Sequence, residues 1–167
     1  YDGGRYMKKG IIIIICITII GFIFYNSSQT GTSSNDRSRG VMQKIIESDY
    51  ISSSFDGVNK DKLNKLFRKC AHVAEYCLLA FILGIAFQIL KVNNGKYIIH
   101  ILFTILLIAV LDEFYQMYIP GRNSNVLDVL IDFSGGIIGT IIFTALRKGI
   151  FLLAKGFGRS HSKKIRH

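Results

Sequence analysis

The chain has 167 residues, enough for one domain; half of them are hydrophobic and the mean hydropathy is positive. That balance is unusual for a soluble domain and typical of a chain whose apolar segments contact lipid. Lys and Arg outnumber Asp and Glu by 21 to 11. Because the basic residues flank the apolar runs, this excess indicates membrane orientation and lipid headgroups rather than nucleic acid.

Four apolar stretches approach or meet the length of about 20 residues that a membrane-spanning helix needs. They cover about residues 10–25, 71–90, 97–119 and 126–146. Residues 1–6 precede a Met-Lys-Lys sequence, and we expect them to be an appended segment or an upstream start rather than part of the fold. No small-residue cleavage site follows the first stretch, so we expect a retained helix instead of a secretory signal. The sequence therefore predicts an all-α polytopic membrane protein, a bundle of four transmembrane helices.

The polar segment 26–69 joins the first two predicted helices and contains apolar residues spaced for a short amphipathic helix at 41–51. Lys and Arg precede the first helix, fill the loop between the second and third, and recur in the tail 149–167. Because such residues favour the cytoplasmic side, we expect a multi-pass protein of the cell membrane with both termini cytoplasmic. The segment 26–69 would then be outside, although its eight basic and five acidic residues weaken the charge argument without reversing it.

Ionisable residues inside membrane segments cost about 2.5–3.5 kcal/mol each at a helix centre on insertion scales, so each requires an explanation. Here they form three groups, at the start of the second helix, the end of the third and the start of the fourth. Because successive helices alternate in direction, these three ends meet at one membrane face, which we expect to be the outer one. The groups, with the basic residues beside them, are Arg68, Lys69, His72 and Glu75; Asp112, Glu113, Gln116 and Arg122; and Asp128 and Asp132.

Several of these residues also have structural explanations. His72 alone could bond a backbone carbonyl group. Asp128 suits the first turn of a helix that Asn125 caps, and we weigh this role equally with a functional one. Asp132 lies past the first turn, so capping does not explain it. Glu75 lies deeper and must be neutral or paired.

Two further patterns predict packing around this cluster. Adjacent carboxylates repel, so we expect Arg122 to bind Asp112 or Glu113, as a guanidinium does in bidentate fashion. Small residues in the fourth helix continue the Asp132 face and predict a close approach to a neighbouring helix. These residues are Gly135, Gly136 and Gly139.

Three tyrosines are most simply explained as an aromatic belt at the membrane interface. They are Tyr76, Tyr115 and Tyr118.

The same residues resemble the motifs of the VanZ-like family. The segment Arg68–Tyr76 is similar to its R-K-x-x-H-x-x-E-Y motif, and Asp112–Gln116 to its D-E-x-x-Q motif. Pro120-Gly121-Arg122 resembles its P-G-R motif, and the residues from Asp128 to Gly135 resemble its D-x-x-x-D-x-x-G motif. The segment Phe24–Gln29 is similar to its F-x-x-S-S-Q motif. Tyr115 departs from the family, which often has histidine there.

The resemblance implies a small bacterial membrane protein of a family named for a member that lowers susceptibility to teicoplanin, a lipid-tailed glycopeptide acting on cell-wall precursors. We first expect a factor that binds an amphiphile, the lipoglycopeptide or a lipid-linked envelope component, near the outer leaflet, through all ten residues of the three groups. The alternative is a membrane-embedded enzyme that acts on a lipid-linked cell-wall precursor by carboxylate and histidine acid-base chemistry or by divalent-metal chemistry, with His72, Glu75, Asp112, Glu113 and Asp132 as catalytic candidates. A third interpretation is a salt-bridged scaffold. We expect no cofactor, no metal and no nucleic acid; membrane lipid is the expected partner.

Overall fold

The computed structural model describes residues 3–30, 40, 60–92, 96–122 and 124–164. These residues form four helices and no strand. The helices are α1 (Gly3–Ser27), α2 (Lys60–Ile89), α3 (Tyr97–Gln116) and α4 (Val126–Lys164). Each contains a span long and apolar enough to cross a membrane, namely Gly3–Ser27, Lys62–Ile89, Tyr97–Gln116 and Val126–Leu152. The predicted all-α bundle of four transmembrane helices is therefore confirmed.

Three of the helices extend beyond the predicted apolar stretches. Helix α1 begins at Gly3, so part of the excluded N-terminal segment is helical, and α2 begins at Lys60 rather than near Ala71. Helix α4 continues to Lys164 through the basic tail. Helix α3 ends at Gln116, earlier than predicted, because a turn follows it. Hydropathy identifies only the part of a helix that contacts lipid, so polar extensions escape it. The predicted amphipathic helix at 41–51 lies outside the described residues.

Helices α2 and α4 pack side by side through their backbones. A Cβ atom at Gly135 would overlap the carbonyl oxygen of Val73, and one at Gly139 would overlap that of Cys77. Residue numbers rise together along this contact, so α2 and α4 run parallel. The predicted close approach at the glycines is confirmed, and it fixes the start of α4 beside the first half of α2.

The remaining helices complete a small core. Side chains from α1, α2 and α3, including Ile23, Leu79 and Ile105, are fully buried. Gly136 lies against Ile105, which places α3 on a neighbouring face of α4. Large apolar side chains such as Phe103 and Ile141 are well exposed, as expected for surfaces that contact lipid tails.

A tight turn after α3 brings the chain back to α4. Backbone bonds from Met117, Tyr118 and Ile119 to the carbonyl groups three residues earlier close the end of α3. Gly121 follows with φ of 74°, a left-handed conformation that glycine adopts without steric cost. This turn places Arg122 beside the end of α1 and orients the start of α4 toward α2.

Candidate functional site

A cavity of about 410 Å³ lies at the end of the bundle where α2 and α4 begin and α3 ends. Exposed side chains such as Lys65 and Lys69 form its mouth, while Asp132 and Gln116 are buried within it. Four basic and three acidic side chains line it, with His72 between them. The lining residues are Lys65, Arg68, Lys69, His72, Glu113, Gln116, Gly121, Arg122, Ser124, Asn125, Asp128, Ile131 and Asp132.

The first turn of α4 is capped as the sequence predicts. The side-chain oxygen of Asn125 accepts a hydrogen bond from the backbone N–H of Leu127 at 3.1 Å. Asp128 lies in the same turn and forms an ion pair with Lys69 at 2.7 Å. Both side chains are partly exposed, so this pair links α2 and α4 with a small energy, of order 1 kcal/mol or less.

Asp132, one turn further along α4, has a different environment. The residue is only 3% exposed and makes no hydrogen bond with any described residue. Its Oδ1 lies 4.0 Å from His72 Nδ1 on α2, and the same nitrogen lies 3.9 Å from Glu75 Oε2. The register of α2 against α4 therefore places an imidazole between two carboxyl groups.

The neighbouring acids at the end of α3 point in different directions. Glu113 faces the turn, where its Oε1 accepts a hydrogen bond from the Asn125 backbone N–H at 2.6 Å. Asp112 faces the bundle interior and is fully buried. Its Oδ2 accepts hydrogen bonds from Ser27 Oγ at 2.8 Å and from Gln116 Nε2 at 3.0 Å. Glu113 thus holds the turn, and Asp112 belongs to the inner part of the cluster.

The end of α1 contributes two polar residues that sequence reasoning did not assign to the site. Asn26 Nδ2 donates a hydrogen bond to Glu75 Oε1 at 2.7 Å, and the Ser27 hydroxyl donates to Asp112. Ser27 is fully buried. The signal was present in the F-x-x-S-S-Q resemblance, because a serine and an amide at the end of an apolar helix fit the same membrane face.

Arg122 makes no hydrogen bond or ion pair with Asp112 or Glu113, contrary to the sequence prediction. Its guanidinium donates to the carbonyl oxygens of Gln29 at 3.2 Å and Asn26 at 3.1 Å, and to Gln116 Oε1 at 3.0 Å. Carbonyl groups in and just after the last turn of a helix lack the N–H partner four residues later, so the planar guanidinium, with several donors, suits them. Burial, and next the charge of Arg68, lower the pKa of Arg122, which remains a cation at neutral pH. Arg122 therefore fastens α1 to the turn.

Tyr76 is not a belt residue either. It is fully buried between the helices, and its hydroxyl has no hydrogen-bond partner among the described residues. The carboxyl groups of Asp112 and Asp132 lie close enough to act on it electrostatically. Tyr115 and Tyr118 are exposed, as the belt interpretation requires. A tyrosine directly after Glu75 falls on the next face of α2, which meets the core rather than lipid.

One group within the cluster offers metal-ligating atoms close together. His72, Asp112 and Asp132 each present one such atom, and all three atoms lie within 4.8 Å of one another. The three residues come from three different helices. The arrangement could hold a cation or exchange a proton between an imidazole and a carboxylate.

The structure brings all ten predicted site residues to one end of the bundle. Eight line the cavity, while Asp112 and Glu75 lie behind His72 and Gln116. Lys65 is an additional lining residue that sequence reasoning missed. It could have been found from its spacing, since it precedes Arg68 by one turn and lies on the same face of α2.

Comparisons with known proteins agree with this architecture. The family model described as VanZ/LLP1 matches residues 12–148, which overlap all four apolar spans and include every residue of the cavity. No curated protein and no solved structure matches the chain significantly. The family match covers well over half of the sequence and agrees with the resemblance of its motifs. The chain therefore belongs to the VanZ/LLP1 family of membrane proteins.

Proposed function

We propose that this protein binds the anionic headgroup of an amphiphile in the cavity, and that this binding lowers teicoplanin susceptibility or supports the cell envelope. The charge distribution of the cavity carries the proposal. Basic side chains stand at its mouth and the carboxyl group of Asp132 lies in its interior. His72 is about 10 Å along α2 from Lys65, so an amphiphile would meet positive charge before it reached the acidic interior.

The ligand class follows from the polar groups available. Lys65 is exposed and makes no hydrogen bond or ion pair with any described residue, so its ammonium group is available to a phosphate or carboxylate. The deeper side chains Glu113 and Asp132 offer acceptors for hydroxyl or amine donors, and Gln116 has an amide. A lipid-linked envelope component or a lipoglycopeptide carries an acyl or isoprenoid tail that would remain in the bilayer. In this arrangement both termini are cytoplasmic and the cavity faces outward.

Teicoplanin susceptibility tests the proposal when it is measured beside the amount of protein in the membrane. A susceptible Gram-positive host would express the wild type, Lys65→Gln, Glu113→Gln, Asp132→Asn or the control Lys148→Gln. Lys148 is exposed near the opposite end of the apolar span of α4, so its substitution removes a positive charge without touching the cavity. We expect the three cavity variants to restore susceptibility while their abundance is unchanged, and Lys148→Gln to behave as wild type.

Two results would count against the proposal. Three well-expressed cavity variants with wild-type resistance would show that the cavity is not the site. A phenotype that falls only in proportion to protein abundance would favour the scaffold interpretation. Direct binding supplies a second measurement: purified wild type should retain phosphatidylglycerol in preference to phosphatidylcholine by native mass spectrometry, and Lys65→Gln should lose that preference.

An enzyme remains the second candidate, because one observation favours it. His72 Nδ1 stands 3.9 Å from Glu75 and 4.0 Å from Asp132, a spacing that small side-chain movements convert into proton-transfer distance. Such a site would act on a lipid-linked cell-wall precursor. Chromatography of radiolabelled lipid precursors after incubation with the purified protein separates the candidates. Turnover that Asp132→Asn abolishes supports the enzyme, and a retained, unaltered precursor supports the binding factor.

A further inference from the structure

We propose that His72, Asp112 and Asp132 form an open three-ligand site for a first-row divalent cation, Mn²⁺ or Zn²⁺, beneath the cavity. Their ligating atoms lie within 4.8 Å of one another, so small side-chain movements would bring all three to coordinating distance of one ion. His72 and Asp132 also line the cavity, which leaves a coordination position facing it. This inference goes beyond headgroup binding and does not depend on the identity of an amphiphile.

The environment of Asp132 independently points to a ligand. The residue is 3% exposed, it lines the cavity, and its nearest basic nitrogen among the described residues is 4.0 Å away. Taking a carboxylate out of water costs several kcal/mol unless the group is protonated, paired or coordinated to a metal. Asp132 is held in this position by the backbone contact of α2 and α4 at Gly135, not by any bond of its own.

Unsatisfied polar atoms surround the same point. His72 Nδ1, Asp112 Oδ1, Glu75 Oε2 and the Tyr76 hydroxyl are all buried and lack a hydrogen-bond partner among the described residues. Buried polar atoms are normally satisfied by protein, water or a bound ion, and four exceptions in one cluster require an explanation. A coordinated cation would satisfy His72 and Asp112 directly. Its bound water molecules would satisfy the neighbouring groups.

Asp112 is already oriented as a metal-binding carboxylate. Ser27 and Gln116 donate hydrogen bonds to its Oδ2, and its Oδ1 is left without a protein partner. Ligating carboxylates are commonly held in this way by residues that do not touch the metal. The arrangement gives Ser27, at the end of α1, the role of a positioning residue. A divalent ion would also neutralise the two carboxylates in a place where two negative charges cannot easily coexist.

The mixed donor set indicates which cations to test. Ca²⁺ and Mg²⁺ prefer sites built from oxygen atoms, whereas an imidazole nitrogen suits Zn²⁺ and is compatible with Mn²⁺. Three protein ligands with an open position are characteristic of sites at which a metal-bound water or a substrate oxygen occupies the remaining place. A phosphate oxygen entering the cavity is a ligand of the right chemistry for that position.

Metal content of the purified full chain tests the proposal. The wild type, His72→Gln, Asp132→Asn and His100→Gln would be stripped with chelator, equilibrated with MnCl₂ or ZnCl₂ and analysed by mass spectrometry of the elements. We expect one ion per wild-type chain and an affinity at least about tenfold weaker in the two ligand variants. His100→Gln is the matched control, because it removes an imidazole near the start of α3 that bonds the Lys96 carbonyl oxygen and lies outside the ligand group.

A spectroscopic measurement identifies the ligand. Electron spin-echo spectra of the Mn²⁺ form should show coupling to one imidazole nitrogen, and His72→Gln should lose that coupling. Circular dichroism and a single peak in gel filtration would establish that each variant is folded. The proposal is overturned if the wild type binds neither ion, or if folded His72→Gln and Asp132→Asn bind as well as the wild type. If the wild type binds neither ion, water molecules rather than a metal satisfy the buried polar atoms. If the folded variants bind as well as the wild type, the metal is held by other residues of the chain.

Discussion

Replacing Arg122 by lysine separates two roles that the residue could have, a positive charge for a ligand and a mechanical link between helices. Its guanidinium makes three hydrogen bonds, to the carbonyl oxygens of Asn26 and Gln29 and to Gln116 Oε1. A lysine keeps the charge, but its single ammonium group cannot reach the three acceptors that the planar guanidinium of arginine contacts. Arg122→Lys should therefore lose about two of the three bonds.

The expected loss of stability follows from those bonds. Hydrogen bonds to charged groups contribute about 1.5–3 kcal/mol each, so losing two costs roughly 3 kcal/mol or more. For a chain of this size each kcal/mol corresponds to about 2–4 °C in the melting temperature, which predicts a fall of about 6–12 °C. Purified wild type and variant would be heated in detergent, and the fraction that remains monodisperse measured by gel filtration.

Lys65→Gln provides the control for this experiment. Lys65 lines the same cavity and carries the same charge, but it makes no hydrogen bond or ion pair with any described residue. Its removal should change the melting temperature by no more than about 2 °C, as exposed substitutions usually do. If Arg122→Lys melts together with the wild type and Lys65→Gln, the conclusion that Arg122 fastens α1 to the turn is wrong.

Three further predictions concern packing, surface charge and topology. Gly139→Leu should prevent stable accumulation in the membrane, measured by immunoblot, because any Cβ at this position overlaps the backbone of α2; normal accumulation would contradict the packing. Lys69→Gln should lower the free energy of unfolding by about 1 kcal/mol or less in a detergent-denaturation assay, because the ion pair with Asp128 is partly exposed. With the native cysteines replaced, Ser53→Cys should react with an impermeant maleimide in intact cells and Ser160→Cys should not; the opposite pattern would reverse the topology.

The membrane architecture was predictable because lipid imposes a simple rule on sequence. Runs of about 20 apolar residues identify the spans, and alternating helix direction brings the three polar groups to one face. The face of α4 that carries Asp132, Gly135 and Gly139 also indicated which side of this helix packs against a neighbour. The helix ends were less predictable: the polar turns from Lys60 onward have little hydropathy signal of their own, yet they extend α2 beyond the predicted apolar stretch 71–90.

The sequence could not predict which hydrogen-bond partner each polar side chain of the cluster has. Asp112 and Glu113 are adjacent, so they point about 100° apart around α3 and bind different elements. Arg122 is close in the chain to both, but the turn aims its guanidinium at the end of α1 instead. Such choices depend on side-chain direction in three dimensions, and neither charge nor spacing determines it.

The backbone contact between α2 and α4 has a mechanical consequence. At Gly135 and Gly139 the two helices are already as close as their main chains allow, so they cannot slide past one another without first separating. They form the stiff half of the molecule. Helix α1 is joined to the cluster through Asn26 and Ser27 and through two of the three bonds of Arg122. Any widening of the cavity for a bulky headgroup must therefore come from movement of the turn and the end of α3, with α2 and α4 as the fixed wall.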